Sequence, residues 1–256
     1  MGAVEIPAST QMASIDSDGL LMIWEMTTSD VHDKFRFPIV QEGDVIERPS
    51  CIYTDQKGYI LVVGFTSGIV RVLDLTRRSV EPMKLEAGGR PDAEGEESAN
   101  ALRVIRTYRL FSSAISSVII SKTNVGVVVS RESKQLYFLD LNIKSVNPGA
   151  AYRDKLPVLC HTELPYKVMG GTWLVEKGET KFLAVLDNAF LATLRCPAQD
   201  ERDTSDPADM SVLFRRIDSG MKMATFNSMT KDIFVTGSDK YVKKYGFPAL
   251  PWEQAR

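Results

Sequence analysis

The apolar positions of this chain fall in short runs, some alternating with polar residues and some continuous. Gly, Ser, Asn and Asp sit between the runs, which is the pattern of β-strands joined by tight turns. Five stretches superpose without gaps: Ile15–Met26 (IDSDGLLMIWEM), Gly64–Leu75 (GFTSGIVRVLDL), Ser130–Leu141 (SRESKQLYFLDL), Val185–Cys196 (VLDNAFLATLRC) and Thr236–Phe247 (TGSDKYVKKYGF). Each reads as the end of one strand, a turn, and a second strand. The large residues near their ends, Trp24, Leu73, Leu139, Leu194 and Tyr245, are 49, 66, 55 and 51 positions apart, the longest interval holding an insertion.

The residues around these hairpins supply the rest of a repeating unit. Short β-branched or apolar runs precede the turns at Tyr59–Val63, Val125–Val129, Lys181–Leu186 and Asp232–Val235. A further strand is expected before each of these, at Ser50–Thr54, Ile115–Ser121, Val168–Val175 and Met221–Phe226. A fourth is expected between units, at Lys34–Val40, Leu102–Leu110, Leu156–His161 and Ser211–Ile217. Runs this short, bounded by Gly, Ser or Asn, do not fit helices. Four antiparallel strands recurring at this period describe an all-β fold, a β-propeller of four-stranded blades with five units at 1–40, 41–110, 111–161, 162–217 and 218–256. The first unit lacks a clear first strand.

The hairpin ending in Ile23-Trp24-Glu25 resembles the Trp-Asp signature of WD repeats, and Val72-Leu73-Asp74 and Phe138-Leu139-Asp140 keep its Asp without its Trp. The resemblance extends over nearly the whole chain. In well-formed WD repeats a turn Asp, a third-strand Trp, a Ser and an upstream His share a hydrogen-bonded network. The corresponding turn positions here hold Asp18, Ser67, Ser133, Asn188 and Asp239, and the only histidines are His32 and His161. Asp18 with Trp24 is the one pair retained, so apolar packing between blades must carry the stability. Long, degenerate blades of this kind are similar to those of the large cilia- and flagella-associated WD-repeat proteins. That resemblance implies a non-catalytic scaffold for protein partners in a cytoplasmic multiprotein assembly of the cytoskeleton, such as a ciliary or flagellar axoneme.

Composition adds bounds. The 256 residues, 44% apolar and 25% charged, suffice for one large domain, and a net charge of -2 gives no global attraction to nucleic acid or anionic membrane. Cys51, Cys160 and Cys196 are far apart, which suggests neither a disulfide framework nor a zinc site and fits a reducing compartment. No apolar stretch approaches the roughly 18–20 residues that span a bilayer, and Met1–Thr10 lacks the basic start and apolar run of a leader.

The connections between third and fourth strands, Thr76–Ala101, Asn142–Lys155 and Pro197–Met210, are long, and in a propeller they share one side. Within them Glu86–Ser98 (EAGGRPDAEGEES) and Asp200–Asp209 (DERDTSDPAD) each hold five acidic residues and one Arg. They read either as solvated insertions or as an acidic rim that meets a basic partner. A partial first unit and four fuller ones are expected to leave open sheet faces unless further blades, from a longer polypeptide or another chain, complete the ring; a closed five-bladed ring is the competing expectation.

The search for chemistry finds little. Asp16-Ser17-Asp18-Gly19 opens like a calcium loop, but position 27 is Thr27 where the closing acidic residue belongs, and a β-turn is the simpler reading. His32 and His161 lack ligand spacing and read as surface or strand-end residues. Gly170-Gly171 precedes a strand without a phosphate-loop Lys, so a bulge or close packing explains it. Cys196 reads as buried packing rather than a reactive thiol. In Lys240-Tyr241-Val242-Lys243-Lys244-Tyr245 alternation turns Lys243 outward from Val242, a solvated strand face. Pro248 and Pro251 keep the tail extended, with Trp252 either in a linker or anchored on a neighbouring subunit. No cofactor, metal or small-molecule substrate is expected. The candidate interaction residues are Asp18, Trp24, Arg131, Glu132, Asp239 and Trp252. The readings from other classes are a propeller-scaffold hydrolase using a central cluster of carboxylates and an RNA-binding propeller with a basic, aromatic surface.

Overall fold

The computed structural model describes residues 2–37, 41–42, 45–76, 102–142, 158–176, 179–187, 190–195, 213–216, 221–227, 229–230, 232–238, 240–246 and 253–254. Every element described is a strand. In chain order they are β1 (Gly2–Glu5), β2 (Gln11–Ile15), β3 (Leu20–Glu25), β4 (Val31–Arg36), β5 (Gln41–Glu42), β6 (Val45–Ile46), β7 (Pro49–Thr54), β8 (Ile60–Phe65), β9 (Ile69–Asp74) and β10 (Arg103–Arg109). There follow β11 (Ser117–Ile120), β12 (Val125–Val129), β13 (Gln135–Asp140), β14 (Val158–Glu163), β15 (Val168–Glu176), β16 (Glu179–Leu186), β17 (Phe190–Arg195), β18 (Leu213–Arg216), β19 (Met221–Asn227), β20 (Asp232–Gly237), β21 (Val242–Gly246) and β22 (Glu253–Gln254).

These strands form five antiparallel sheets in strict sequence order: β1-β2-β3-β4, β7 to β10, β11 to β14, β15 to β18, and β19-β20-β21. A small hairpin, β5–β6, lies between the first two, and β22 adds to the outer edge of the fourth sheet beside β18. The first sheet does possess a first strand. Gly2-Ala3-Val4-Glu5 is too short and too weakly apolar to announce itself, but it pairs along β2, and Val4 packs into the core shared with the second sheet. The fourth strand of that sheet runs over Val31–Arg36, earlier than the apolar stretch Lys34–Val40 suggests, because Met22 opposite Lys34 and Leu20 opposite Arg36 fix its register.

Burial explains why the middle sheets read as continuous apolar runs and the first as an alternating one. In β8 and β9 every side chain is buried, whereas β2 and β3 alternate between buried and half-buried. Odd-numbered residues of the second sheet, Leu61, Val63 and Leu73, pack against Ala13, Ile15, Leu21 and Ile23 of the first. Its even-numbered residues, Val62, Val70 and Val72, pack against Val118, Val128 and Leu139 of the third. A third core joins the third and fourth sheets around Phe138, Phe182 and Leu194, and a fourth joins the fourth and fifth around Leu183, Leu191, Ile233 and Val235. The first strands also pack in succession, β1 on β7, β7 on β11, β11 on β15 and β15 on β19. Among the described residues no comparable packing joins β19 to β1.

Gly170-Gly171 serves both roles expected of it. The register of β15 on β16 shifts between Val168 and Gly170, and a Cβ on Gly171 would run into the Phe182 ring and the Leu183 carbonyl.

Candidate interaction faces

Because the sheets stand side by side with their first strands in the same sense, all turns of one kind emerge at one end. The top carries the turns between second and third strands and the connections from one sheet to the next. There the Phe37 amide donates to the Gly19 carbonyl, Phe111 to Gly68, and Leu164 to Lys134. The bottom carries the turns between first and second strands and the connections between third and fourth, as Met26 donating to Thr10, Leu75 to Tyr59 and Leu141 to Asn124 shows.

At the top, Asp16 rather than Asp18 builds the first turn. Its Oδ1 accepts from the amides of Asp18 at 2.9 Å and Leu20 at 2.8 Å, and Gly19 closes the turn at φ 77°. A turn with its carboxylate committed to backbone amides explains the sequence that opens like a calcium loop. Asp18 is exposed, and Trp24 donates instead to Ser14 Oγ at 2.7 Å, so the retained side-chain pair is Trp24–Ser14, not Asp18–Trp24. Arg131 and Glu132 occupy the exposed turn of the third sheet. Glu132, with Ser133 and Gln135, faces Leu110, Phe111, Ser112 and Ser113 across a shallow concavity of about 280 Å³. Gly68 lies close against Phe111: its φ is 78°, and any Cβ there would strike the Phe111 carbonyl. Asp239 and Trp252 lie outside the described residues, as does Cys196.

Two other assignments change. His32 is buried, 3.2 Å from Gln11 Nε2, where β4 closes over the start of β2; it is not a surface residue. His161 stacks on Tyr137 with ring centroids 5.6 Å apart. On β21 it is Val242 and Lys244 that point outward, while Tyr245 packs on the core shared with the fourth sheet. Lys244 is held there by an ion pair to Asp232 at 2.9 Å. Hydrogen bonds from Thr230 and Lys244 hold the Asp232 carboxyl below the usual carboxylate range. Burial pushes the Cys51 and Cys160 thiols up to about 11, the opposite of what a nucleophile requires.

The bottom has a different character. Among the described residues the exposed large apolar side chains there are Met26 in the first sheet, Tyr59 in the second, Val158 in the third, Val175 in the fourth and Met229 in the fifth, 37% to 91% exposed. The three long connections leave from and return to this same end, after β9, β13 and β17. The exits after β9 and β13 are fixed by buried carboxylates. Asp74 Oδ1 accepts from the Thr76 amide at 2.9 Å, and Asp140 Oδ1 from the Asn142 amide at 3.0 Å. Glu25 does the same for the first sheet, and its hydrogen bonds from Thr10 and Thr27 hold its carboxyl below the usual range. Asp55, fully buried, ties the turn of the second sheet through the amides of Tyr59 and Ile60.

Four antiparallel sheets with four strands each in sequence order and a fifth with three described strands, set side by side with first strands innermost and apolar cores between neighbours, admit one architecture. The fold is a β-propeller. Its similarity to a solved structure agrees: the β-propeller domain of Cps50 (Swd1) from Myceliophteria thermophila superposes with a TM-score of 0.53 over 93% of this chain and 80% of that one, at 9% identity. No family model and no curated protein matches the sequence. Apolar cores join the neighbouring blades, and one polar element between the first two blades is invisible in the sequence. Arg71 reaches Glu47 Oε1 at 2.7 Å and lies over the rings of Phe65 at 4.6 Å and Phe37 at 5.7 Å. Glu47 lies outside the repeating hairpins, so no periodicity links it to Arg71.

Proposed function

We propose that this propeller is a non-catalytic platform for protein assembly and that its bottom is the binding side. The observation that carries this reading is the placement of exposed apolar side chains from every blade on the side from which the three long connections spring. Two of those connections contain Glu86–Ser98 and Asp200–Asp209, each with five acidic residues and one Arg. Apolar anchors beside acidic chain suit a partner whose contact surface is basic and apolar. The stiffness of five packed blades lets several weak contacts add without each bearing its own ordering cost. Similarity of the long, degenerate blades to those of cilia- and flagella-associated WD-repeat proteins supports placing the assembly in a ciliary or flagellar axoneme. The test is binding of a synthetic amphipathic Leu/Lys peptide, with its Leu/Glu counterpart as control, at increasing salt. The basic peptide is expected to bind, to weaken with salt, and to weaken further when Met26, Tyr59 and Met229 are replaced by Ser. Equal binding of both peptides, or binding unchanged by these replacements, overturns the reading. A tagged chain that fails to enrich in axonemes overturns the placement alone.

A further inference from the structure

The concavity at the top lies between residues 110–113, which cross from the second blade to the third, and the turn 130–135 of the third blade. No residue of an innermost strand lines it, so it sits over the blades and away from the axis of the disc. Both walls are tied down. The amides of Leu110 and Phe111 donate to the Gly68 carbonyl at 3.2 and 3.3 Å, and Ser113 Oγ meets Ser130 Oγ at 2.7 Å. Within the turn the Ser133 amide donates to the Ser130 carbonyl, and the Gln135 amide to Ser133 Oγ at 2.9 Å. Tyr137 donates to Gln135 Oε1 at 3.2 Å and meets the Phe111 ring edge-on. The concavity is therefore preformed, and binding there need order little of the protein.

Its chemistry is one-sided. Glu132 is the one ionisable residue of the lining, beside the hydroxyls of Ser112 and Ser133, the Gln135 amide and an apolar patch of Leu110 and Phe111. Arg131 and Lys134 adjoin it in sequence, but neither lines the concavity. The Ser133 and Lys134 carbonyls accept from Val168 and Leu164, so that flank of the turn is held toward the fourth blade. Among the described residues the Glu132 carboxylate has no ion pair and no hydrogen bond, although two cations stand within two positions of it.

We infer that this concavity receives the guanidinium of an arginine side chain presented by a protein partner, with Glu132 as its charged acceptor and Ser112 and Ser133 as neutral ones. A preformed site whose one charge is an unpaired carboxylate selects a cation. The volume of about 280 Å³ falls below the roughly 300–1,000 Å³ of sites for cofactors and larger ligands, and it suits the end of one side chain. Guanidinium fits better than ammonium for three reasons. Its planar fork of donors can reach the carboxylate and a hydroxyl together, its weaker hydration costs less to disturb in a site open to water, and its flat face can lie on Leu110 and Phe111. A single contact in so shallow a site is weak, so the arginine must come on a chain that makes further contacts beside it. The site is at the opposite end of the disc from Met26, Tyr59 and Met229 and stands or falls independently of them.

Amide chemical shifts of the full nitrogen-15-labelled chain test it. The probes are glycine-flanked peptides with a central arginine, lysine or citrulline, and N-acetylarginine methylamide as the isolated side chain. The arginine peptide is expected to give saturable shifts at the amides of Ser113, Glu132 and Gln135. The lysine peptide should bind about threefold or more weakly, and the uncharged citrulline peptide should leave these amides unmoved. Glu132→Gln is expected to weaken the arginine peptide about tenfold or more, as loss of a charge-assisted hydrogen bond does. Arg131→Gln, which removes a neighbouring cation, should bind at least as tightly as the parent chain. Glu132 is exposed, so Glu132→Gln should melt like the parent; Ser112→Ala, also at an exposed position, repeats the test with a smaller expected loss. Equal binding of the arginine and citrulline peptides, saturable shifts confined to other parts of the chain, or unchanged affinity in Glu132→Gln overturns the inference. N-acetylarginine methylamide binding more tightly than the arginine peptide would assign the site to a free guanidinium compound and overturn the protein partner.

Discussion

Trp24 donates its indole hydrogen to Ser14 Oγ at 2.7 Å on the outward face of the first blade, so the one tryptophan that resembles a WD signature is bound across its own sheet rather than to the turn. The neighbouring turn is built by Asp16, which accepts two backbone amides. Asp16→Ala is expected to cost about 1 kcal/mol or more, Trp24→Phe about 1 kcal/mol, and Asp18→Ala less than about 0.5 kcal/mol in chemical denaturation. An Asp18 effect equal to that of Asp16 would restore Asp18 to the network.

One-sided burial of the first blade predicts a sharp alternation. Leu21→Ala is expected to destabilise by about 2–5 kcal/mol, and Met22→Ala by under about 1 kcal/mol in the isolated chain. In the second blade both neighbours face a core, so Leu61→Ala and Val62→Ala should each lower the denaturation midpoint. Equal costs at Leu21 and Met22 would mean that both faces are covered.

Arg71 and Glu47 form a buried ion pair whose halves cannot be removed singly. Glu47→Ala strands the guanidinium among Phe37, Phe65 and the blade core and is expected to cost about 3 kcal/mol. The double change Arg71→Met with Glu47→Leu should recover most of that, because both charges leave together. Urea midpoints of the single and double variants decide it.

Gly68→Ala forces a left-handed residue and drives its Cβ into the Phe111 carbonyl, so it is expected to cost at least about 2 kcal/mol. Gly19→Ala, at a similar φ but with its nearest contact at 3.4 Å, should cost about 1 kcal/mol. Differential scanning calorimetry of the two variants checks the order.

Glu25 and Asp232 both have carboxyls held below their ordinary values, by hydrogen bonds from Thr10 and Thr27 and from Thr230 and Lys244. A depressed folded-state pKa contributes stability that is fully present above the unfolded value, about 4, and is lost as pH falls through the folded value. Stability is therefore expected to fall below about pH 4, with Glu25→Gln and Asp232→Asn flattening the decline. An unchanged acid limb in both variants would assign it to other carboxylates.

Much of the fold is legible in the residues. β12 runs over Val125–Val129 as its apolar run indicates, because a strand buried on both faces must be apolar throughout, and β10 and β15 fall within a residue of their expected bounds. β1 was not legible: Gly2–Glu5 becomes a strand only because β2 offers a register and the second blade offers a surface. His32, at a strand end but buried, and Val242, which points outward, differ from a surface reading and from the expected alternation for the same kind of reason. Whether a side chain is inside depends on what stands opposite, and alternation gives two faces without saying which is covered.

Local chemistry along the chain thus determined the strands, the turns, the repeat and hence the propeller, since each depends on residues within a few positions of one another. Tertiary structure alone decided which sheet faces are closed, that Arg71 finds Glu47, that Trp24 turns to Ser14, and that the exposed apolar residues Met26, Tyr59, Val158, Val175 and Met229 gather at one end of the disc. Those outcomes join residues far apart in the chain, and only the packing of whole blades against one another brings them together.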